Sequence, residues 1–225
     1  MIQGSANWKQ TYPGAMVGLM AMDGVINPSG HPGLEKIKTQ FEDDTRRDYG
    51  GMSRQMLEDL PFFKPYVAYY KLFNKTSHVL LQLESIANKG RSLPRVAALV
   101  EAMFVAELKN GLLTAGHDAN LLATPLILDA AVGNERYTLL NGQEQNLKTG
   151  DMFISDQQGI LSSIIYGPDR RTPISAATKN VIFTVYAPVG IGEDRLIKHL
   201  EDIRRNVEMV SPDAKMSGLE MIKAE

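Results

Sequence analysis

Asp151–Pro188 reads DMFISDQQGILSSIIYGPDRRTPISAATKNVIFTVYAP, and its parsing decides how the rest of the chain is read. Gly159–Tyr166 is a strand-length run of β-branched and aromatic residues that follows a turn signal at Asp156-Gln157-Gln158-Gly159. Val181–Tyr186 is a second such run, closed by Pro188. Between them lies Gly167-Pro168-Asp169-Arg170-Arg171-Thr172-Pro173, a loop with one carboxylate, two guanidinium groups and a hydroxyl side by side. Prolines at both ends stiffen it by fixing φ. A stiff polar loop between buried strands is a natural seat for recognition or chemistry, and a solvated turn is its bland alternative.

Working outward, Met152–Ser155 and Pro125–Ala130 read as strands, and Tyr137–Leu140 before Asn141-Gly142 reads as the start of a hairpin. Residues 193–209 pattern as an amphipathic helix with Ile197, Leu200, Ile203 and Val207 inward and Arg195, Lys198, His199, Arg204 and Arg205 on a basic outer side. The last dozen residues read as a short helix or tail. On the N-terminal side, Pro13–Ile26 reads as a strand, Leu34–Arg47 as a helix, and Ser53 as the cap of a short helix. The aromatic run Phe62–Phe73 is core in preference to a base-stacking platform, and Lys71 is a cation within it. Val79–Asn88 is helical with Gly90 at its left-handed end. Leu93-Pro94 opens the strongest helix, with Val96, Leu99, Val100, Met103, Phe104 and Leu108 on one stripe and Glu101 and Glu107 facing solvent. Gly116-His117-Asp118 follows in a loop.

A chain of 225 residues with 44% hydrophobic and 22% charged residues builds an ordinary globular core. A net charge of −2 argues against a large phosphate-binding footprint and against DNA, leaving room for a small basic patch. With no cysteine and four scattered histidines, the sequence offers neither a thiol nucleophile nor zinc-ligand spacing. No metal and no cofactor is expected. No apolar run reaches the roughly 18 residues of a membrane span, and the first residues lack a signal-peptide pattern. The expectation is a cytoplasmic protein with no membrane partner. Phosphate-loop, dinucleotide, serine-hydrolase and zinc-protease signatures are absent from the sequence.

The order of motifs is informative where single motifs are not. A Leu-Pro-x-Val helix leads to Gly116-His117-Asp118. Then come the Gly150-Asp151 turn, Ser155-Asp156-x-x-Gly159, a strand, the polar loop and Thr178-x-Asn180-Val181-x-Phe183. Over about Pro61–Ile203 this resembles the B3/B4 domain of the phenylalanyl-tRNA synthetase β subunit in stand-alone form. The resemblance implies an α+β fold with a β-sandwich core of unusual topology and flanking helices. It implies one unit over 1–225, helix-rich to about 120 and strand-rich over about 121–210.

The resemblance also implies a cleft with His117 and Asp118 on one wall and the Gly167–Thr172 loop on the other. In the synthetase that cleft is an editing pocket for tyrosine wrongly attached to the phenylalanine tRNA. Two positions depart from the synthetase pattern. Ala115 stands where an editing histidine precedes the matched aspartate by three residues. Arg171 aligns with a glutamate that reads the tyrosine hydroxyl, and an arginine prefers a carboxylate or phosphate. The functional expectation is therefore hydrolysis in trans of a misacylated tRNA or related aminoacyl ester. In it His117 activates water, Asp118 fixes the histidine tautomer, and Asp169, Arg170, Arg171, Thr172 and Lys71 bind substrate. The alternatives are a non-catalytic RNA or adaptor module and a binder of amino-acid-like small molecules. tRNA is the expected partner, held weakly, and the sequence leaves the oligomeric state open.

Overall fold

Residues 2–225 are described by a computed structural model. The run Val181–Tyr186 falls inside the most buried strand, β10 (Asn180–Ala187). It pairs antiparallel on both sides, with β2 (Met16–Asp23) and with β3 (Thr114–Asp118). Apolar side chains on both faces are what such a central position demands. The last strand of the chain, β11 (Lys215–Lys223), adds to the far side of β2 and completes a four-stranded antiparallel sheet. The terminal residues are thus a strand and not the expected helix or tail. Their alternation is masked by a register shift between Met216 and Gly218 and by the scarcity of β-branched residues.

The second sheet has five strands in the order β1-β4-β7-β8-β9. These are β1 (Ile2–Gly4), β4 (Leu126–Ala130), β7 (Met152–Asp156), β8 (Gly159–Ser163) and β9 (Gly167–Pro168). The β1–β4 pair is parallel and the rest antiparallel. Leu126, Leu128, Ile154 and Leu161 from this sheet share one apolar cluster with Val17, Leu19, Phe183 and Val185 from the other. The Tyr186 hydroxyl bridges to Ser162 at 2.8 Å across that interface. A hairpin of β5 (Arg136–Thr138) and β6 (Glu144–Asn146) turns through Asn141-Gly142 as expected and lies beside the sandwich.

Among the described residues there are seven α-helices: α1 (Ala6–Thr11), α2 (Pro32–Tyr49), α3 (Arg54–Glu58), α4 (Lys64–Lys71), α5 (His78–Lys89), α6 (Ala98–Asn110) and α7 (Glu193–Val210). α7 packs on β2, where Gly18 permits close approach: a Cβ there would lie 3.0 Å from Leu200 and 3.1 Å from Leu196. The aromatic segment is core. Tyr66 donates to the Tyr186 carbonyl, Tyr70 donates to the Ile164 carbonyl at 2.9 Å, and Tyr69 donates to Asp151 at 2.9 Å. These hydroxyls pin α4 to both sheets. No helix among the described residues is long and apolar enough to cross a membrane.

Three sequence expectations change. α6 begins at Ala98, leaving Pro94 and half-exposed Val96 outside it. Its first turn is satisfied from elsewhere: Asn27 accepts the Leu99 N–H at 2.9 Å, and Glu101 folds back to accept the Val96 N–H at 2.9 Å. Glu101 also meets Lys38 at 2.9 Å, and Glu107 accepts the Thr114 N–H at 2.8 Å, so both glutamates are buried and not solvent-facing. The basic side of α7 is also partly internal. His199 is buried 2.7 Å from the Thr114 hydroxyl, and Arg195 donates to the Phe62 and Asn110 carbonyls.

Leu99 is fully buried at the meeting of α6 with the sheet, whereas Phe104 is only partly buried. Leu99→Ala is expected to lose about 2–5 kcal/mol in urea unfolding and Phe104→Ala less. Parent-like unfolding of Leu99→Ala would mean that the helix sits in another register.

Candidate functional site

His117 and Asp118 lie on β3, an edge strand of the four-stranded sheet, and not in a loop. Successive strand residues project to opposite faces, so the two side chains part company. Asp118 accepts from the Thr178 hydroxyl at 2.7 Å and from the Asn120 N–H at 3.0 Å, capping a short 3₁₀ turn at Ala119–Leu121. It does not fix the histidine tautomer, which corrects the role expected for it.

The partner of His117 comes from the polar loop. His117 Nδ1 is 2.8 Å from Thr172 Oγ1, which is 2.5 Å from Asp169 Oδ1. The Thr172 N–H also donates to Asp169, at 3.2 Å. The Asp118 N–H meets the Thr172 carbonyl at 3.1 Å, tying the loop to the strand edge. A carboxylate can only accept, so with Asp169 ionised the threonine hydroxyl donates to it and accepts from Nδ1–H. This assignment leaves the lone pair on Nε2, a buried atom without a hydrogen-bond partner in the protein. His117 is 1% exposed. Burial, with the Arg171 charge adding to it, holds the imidazole down at about 4, so it is neutral at pH 7. Burial raises the Asp169 carboxyl, against the opposing Thr172 hydrogen bonds.

Arg171 carries a different load from the one expected of it. Its guanidinium donates to Asp156 at 2.8 Å, Gln158 at 3.1 Å and the Leu121 carbonyl at 3.2 Å, with Nε 3.7 Å from Asp169. It therefore clamps three segments together. Burial works against the Asp156 charge, but the Ala123 and Gln158 N–H groups and Arg171 outweigh it and hold that carboxyl below its ordinary range. Beside the clamp opens a cavity of about 430 Å³, lined by Arg136, Thr138, Gln158, Asp169, Arg170 and Arg171 among others. Asp169, Arg170 and Arg171 thus share this cavity, while His117 and Thr172 lie buried behind Asp169. Lys71 ion-pairs with Glu58 at 3.5 Å on the helical side and does not line it. Arg136, Thr138, Asp156 and Gln158 were not singled out in the sequence; the turn signal at 156–159 located the last two without revealing their arginine partner. Among the described residues no carboxylate, histidine and cysteine cluster suits a metal ion.

Residues 66–205, more than half of the chain, match the B3/4 domain family. The chain belongs to that family. Among solved structures it is similar to an N-terminal fragment of the phenylalanyl-tRNA synthetase beta-subunit from Pyrococcus horikoshii. That likeness has a TM-score of 0.49 at 11% identity, covering 98% of this chain and 50% of the fragment. The chain thus spans about half the length of that fragment. No curated protein matches the sequence. The α+β sandwich described above is therefore a B3/4 fold, formed as one compact unit.

The buried imidazole makes stability of this B3/4 chain pH-dependent. Its pKa is about 4 folded against 6.5 as the ordinary value, so below 6.5 the unfolded chain takes up a proton that the folded chain refuses. Stability therefore falls as pH drops from 6.5 towards 4. Compared with His117→Gln, the parent is expected to lose on the order of 3 kcal/mol more across that window in urea titrations. Parallel pH profiles would show that His117 is not held neutral.

Proposed function

We propose that this B3/4 chain is a deacylase that hydrolyses a misacylated aminoacyl-tRNA, or a related aminoacyl ester, in trans. One observation carries the reading: a hydrogen-bonded chain runs from Asp169, which lines the arginine-lined cavity, through Thr172 to His117, whose buried Nε2 has no partner. Ester hydrolysis needs a base for water and a donor for the developing oxyanion. His117 Nε2 is the base in this proposal, and Thr172 with Asp169 holds its tautomer. Arg170, which lines the cavity with its guanidinium unpaired among the described residues, is the donor in this proposal, and Arg171 positions the loop. Asp118 has a structural place through Thr178, and Lys71 contributes nothing to the chemistry.

A second reading, substrate binding without hydrolysis, is favoured by the 1% exposure of His117, because the covering side chains must move before any reacting atom meets Nε2. A panel of tRNAs carrying non-cognate amino acids separates the two. The deacylase reading expects turnover of at least one member. His117→Ala should lower kcat by about 10²–10⁴-fold with tRNA affinity retained. Thr172→Val should lower it in the same direction, by releasing the ring. Turnover unchanged in both variants removes His117 from the mechanism, and no turnover by the parent on the whole panel leaves the binding reading.

A further inference from the structure

We infer that Arg136 and Arg170 form a binding site for a phosphate group within the cavity beside Asp169. The inference deepens the proposed function, and rests on it for the expectation that an RNA end carries the phosphate. The two arginines come from distant parts of the chain and reach one cavity because the β5–β6 hairpin docks on the polar loop. The Arg170 N–H donates to the Thr138 carbonyl at 3.0 Å, the Leu140 N–H to the Pro168 carbonyl at 3.2 Å, and Leu139 bridges to Asp169. Backbone hydrogen bonds thus fix where both side chains begin.

Both guanidinium groups are on exposed residues, and neither has a hydrogen-bond or ion-pair partner among the described residues. The nearby carboxylates are already engaged. Glu135 accepts the N–H groups of Val132, Gly133 and Asn134, and Glu144 accepts from the Thr138 hydroxyl. Asp156 and Asp169 face Arg171 and Thr172. Arg171 has its charge answered by these groups, so the cavity keeps two uncompensated cations in a chain of net charge −2. Each guanidinium presents a planar fork that matches a pair of phosphate oxygens. A single carboxylate is satisfied by one fork, whereas a phosphate has oxygens for both. A volume of about 430 Å³ is in the range of small-ligand sites and has room for a nucleotide phosphate and its sugar.

The test follows the arginine side-chain ¹⁵N signals of the whole protein during titration with inorganic phosphate, adenosine monophosphate and uncharged tRNA. It adds the salt dependence of tRNA affinity for the parent, Arg136→Gln and Arg170→Gln. All three probes are expected to shift the Arg136 and Arg170 signals. Each substitution should weaken tRNA binding about tenfold or more and lower the log–log salt slope by about 0.7–1. tRNA binding with these losses but without hydrolysis would end the deacylase reading and keep the site. A response to phosphate and the mononucleotide but not to tRNA would keep the site and make a free nucleotide its ligand. The inference is overturned if none of the probes moves either arginine signal, or if both variants bind every probe as the parent does.

Discussion

Water is largely shut out of the space between β3 and the 167–173 loop, so the polar side chains there have to satisfy one another. An unpaired buried carboxylate or imidazole is expensive, and a fully paired network rigidifies what it joins. Two chains of hydrogen bonds meet most of this constraint, leaving, among the described residues there, only His117 Nε2 and Asp169 Oδ2 without a hydrogen-bond partner. Thr178 answers Asp118 on one side of the strand, and Thr172 joins Asp169 to His117 on the other. The loop is thereby held at its ends and middle, and Arg171 fastens its outer side to the β7–β8 turn. That fixation sets where Asp169, Arg170 and Arg171 line the cavity.

The same constraint operates away from the cavity. Asp151 is fully buried against the Tyr69 hydroxyl, and burial pushes its carboxyl up to about 7. Glu107, held by the Thr114 N–H, is pushed up to about 8, and burial takes His199 down to about 3. These groups join α4, α6 and α7 to the sheets. A displaced pKa in this fold is thus a mark of burial first. What separates His117 from the others is geometry: one ring nitrogen is tied through the Thr172 hydroxyl to Asp169, a carboxylate that lines the cavity, and the other has no partner.

The sequence was most legible where side-chain period and packing agree. β10, the 156–159 turn, the Asn141-Gly142 hairpin and α5 with Gly90 stand where the pattern puts them. It was least legible where polar residues serve the interior. Glu101 and Glu107 look like solvent-facing residues of α6 because nothing local announces Lys38 or the Thr114 N–H as their partners. Adjacency suggested that Asp118 serves His117, but strand alternation separates neighbours and brings in a threonine 55 positions away. The polar loop was recognised, yet its two adjacent arginines have opposite fates, one locked and one free. That difference is written in Asp156, Gln158 and the 3₁₀ turn, not in the loop itself.

The central claim is that His117 is a neutral imidazole with its proton on Nδ1 and its lone pair on Nε2. Long-range ¹⁵N–¹H correlation spectra of the selectively labelled protein at pH 7 read the protonation of each ring nitrogen directly. The expected result is a protonated Nδ1 and a bare Nε2 for His117, with the Nδ1 signal displaced in Thr172→Val. An imidazolium, or a proton on Nε2, would contradict the claim and with it the role of His117 as a base.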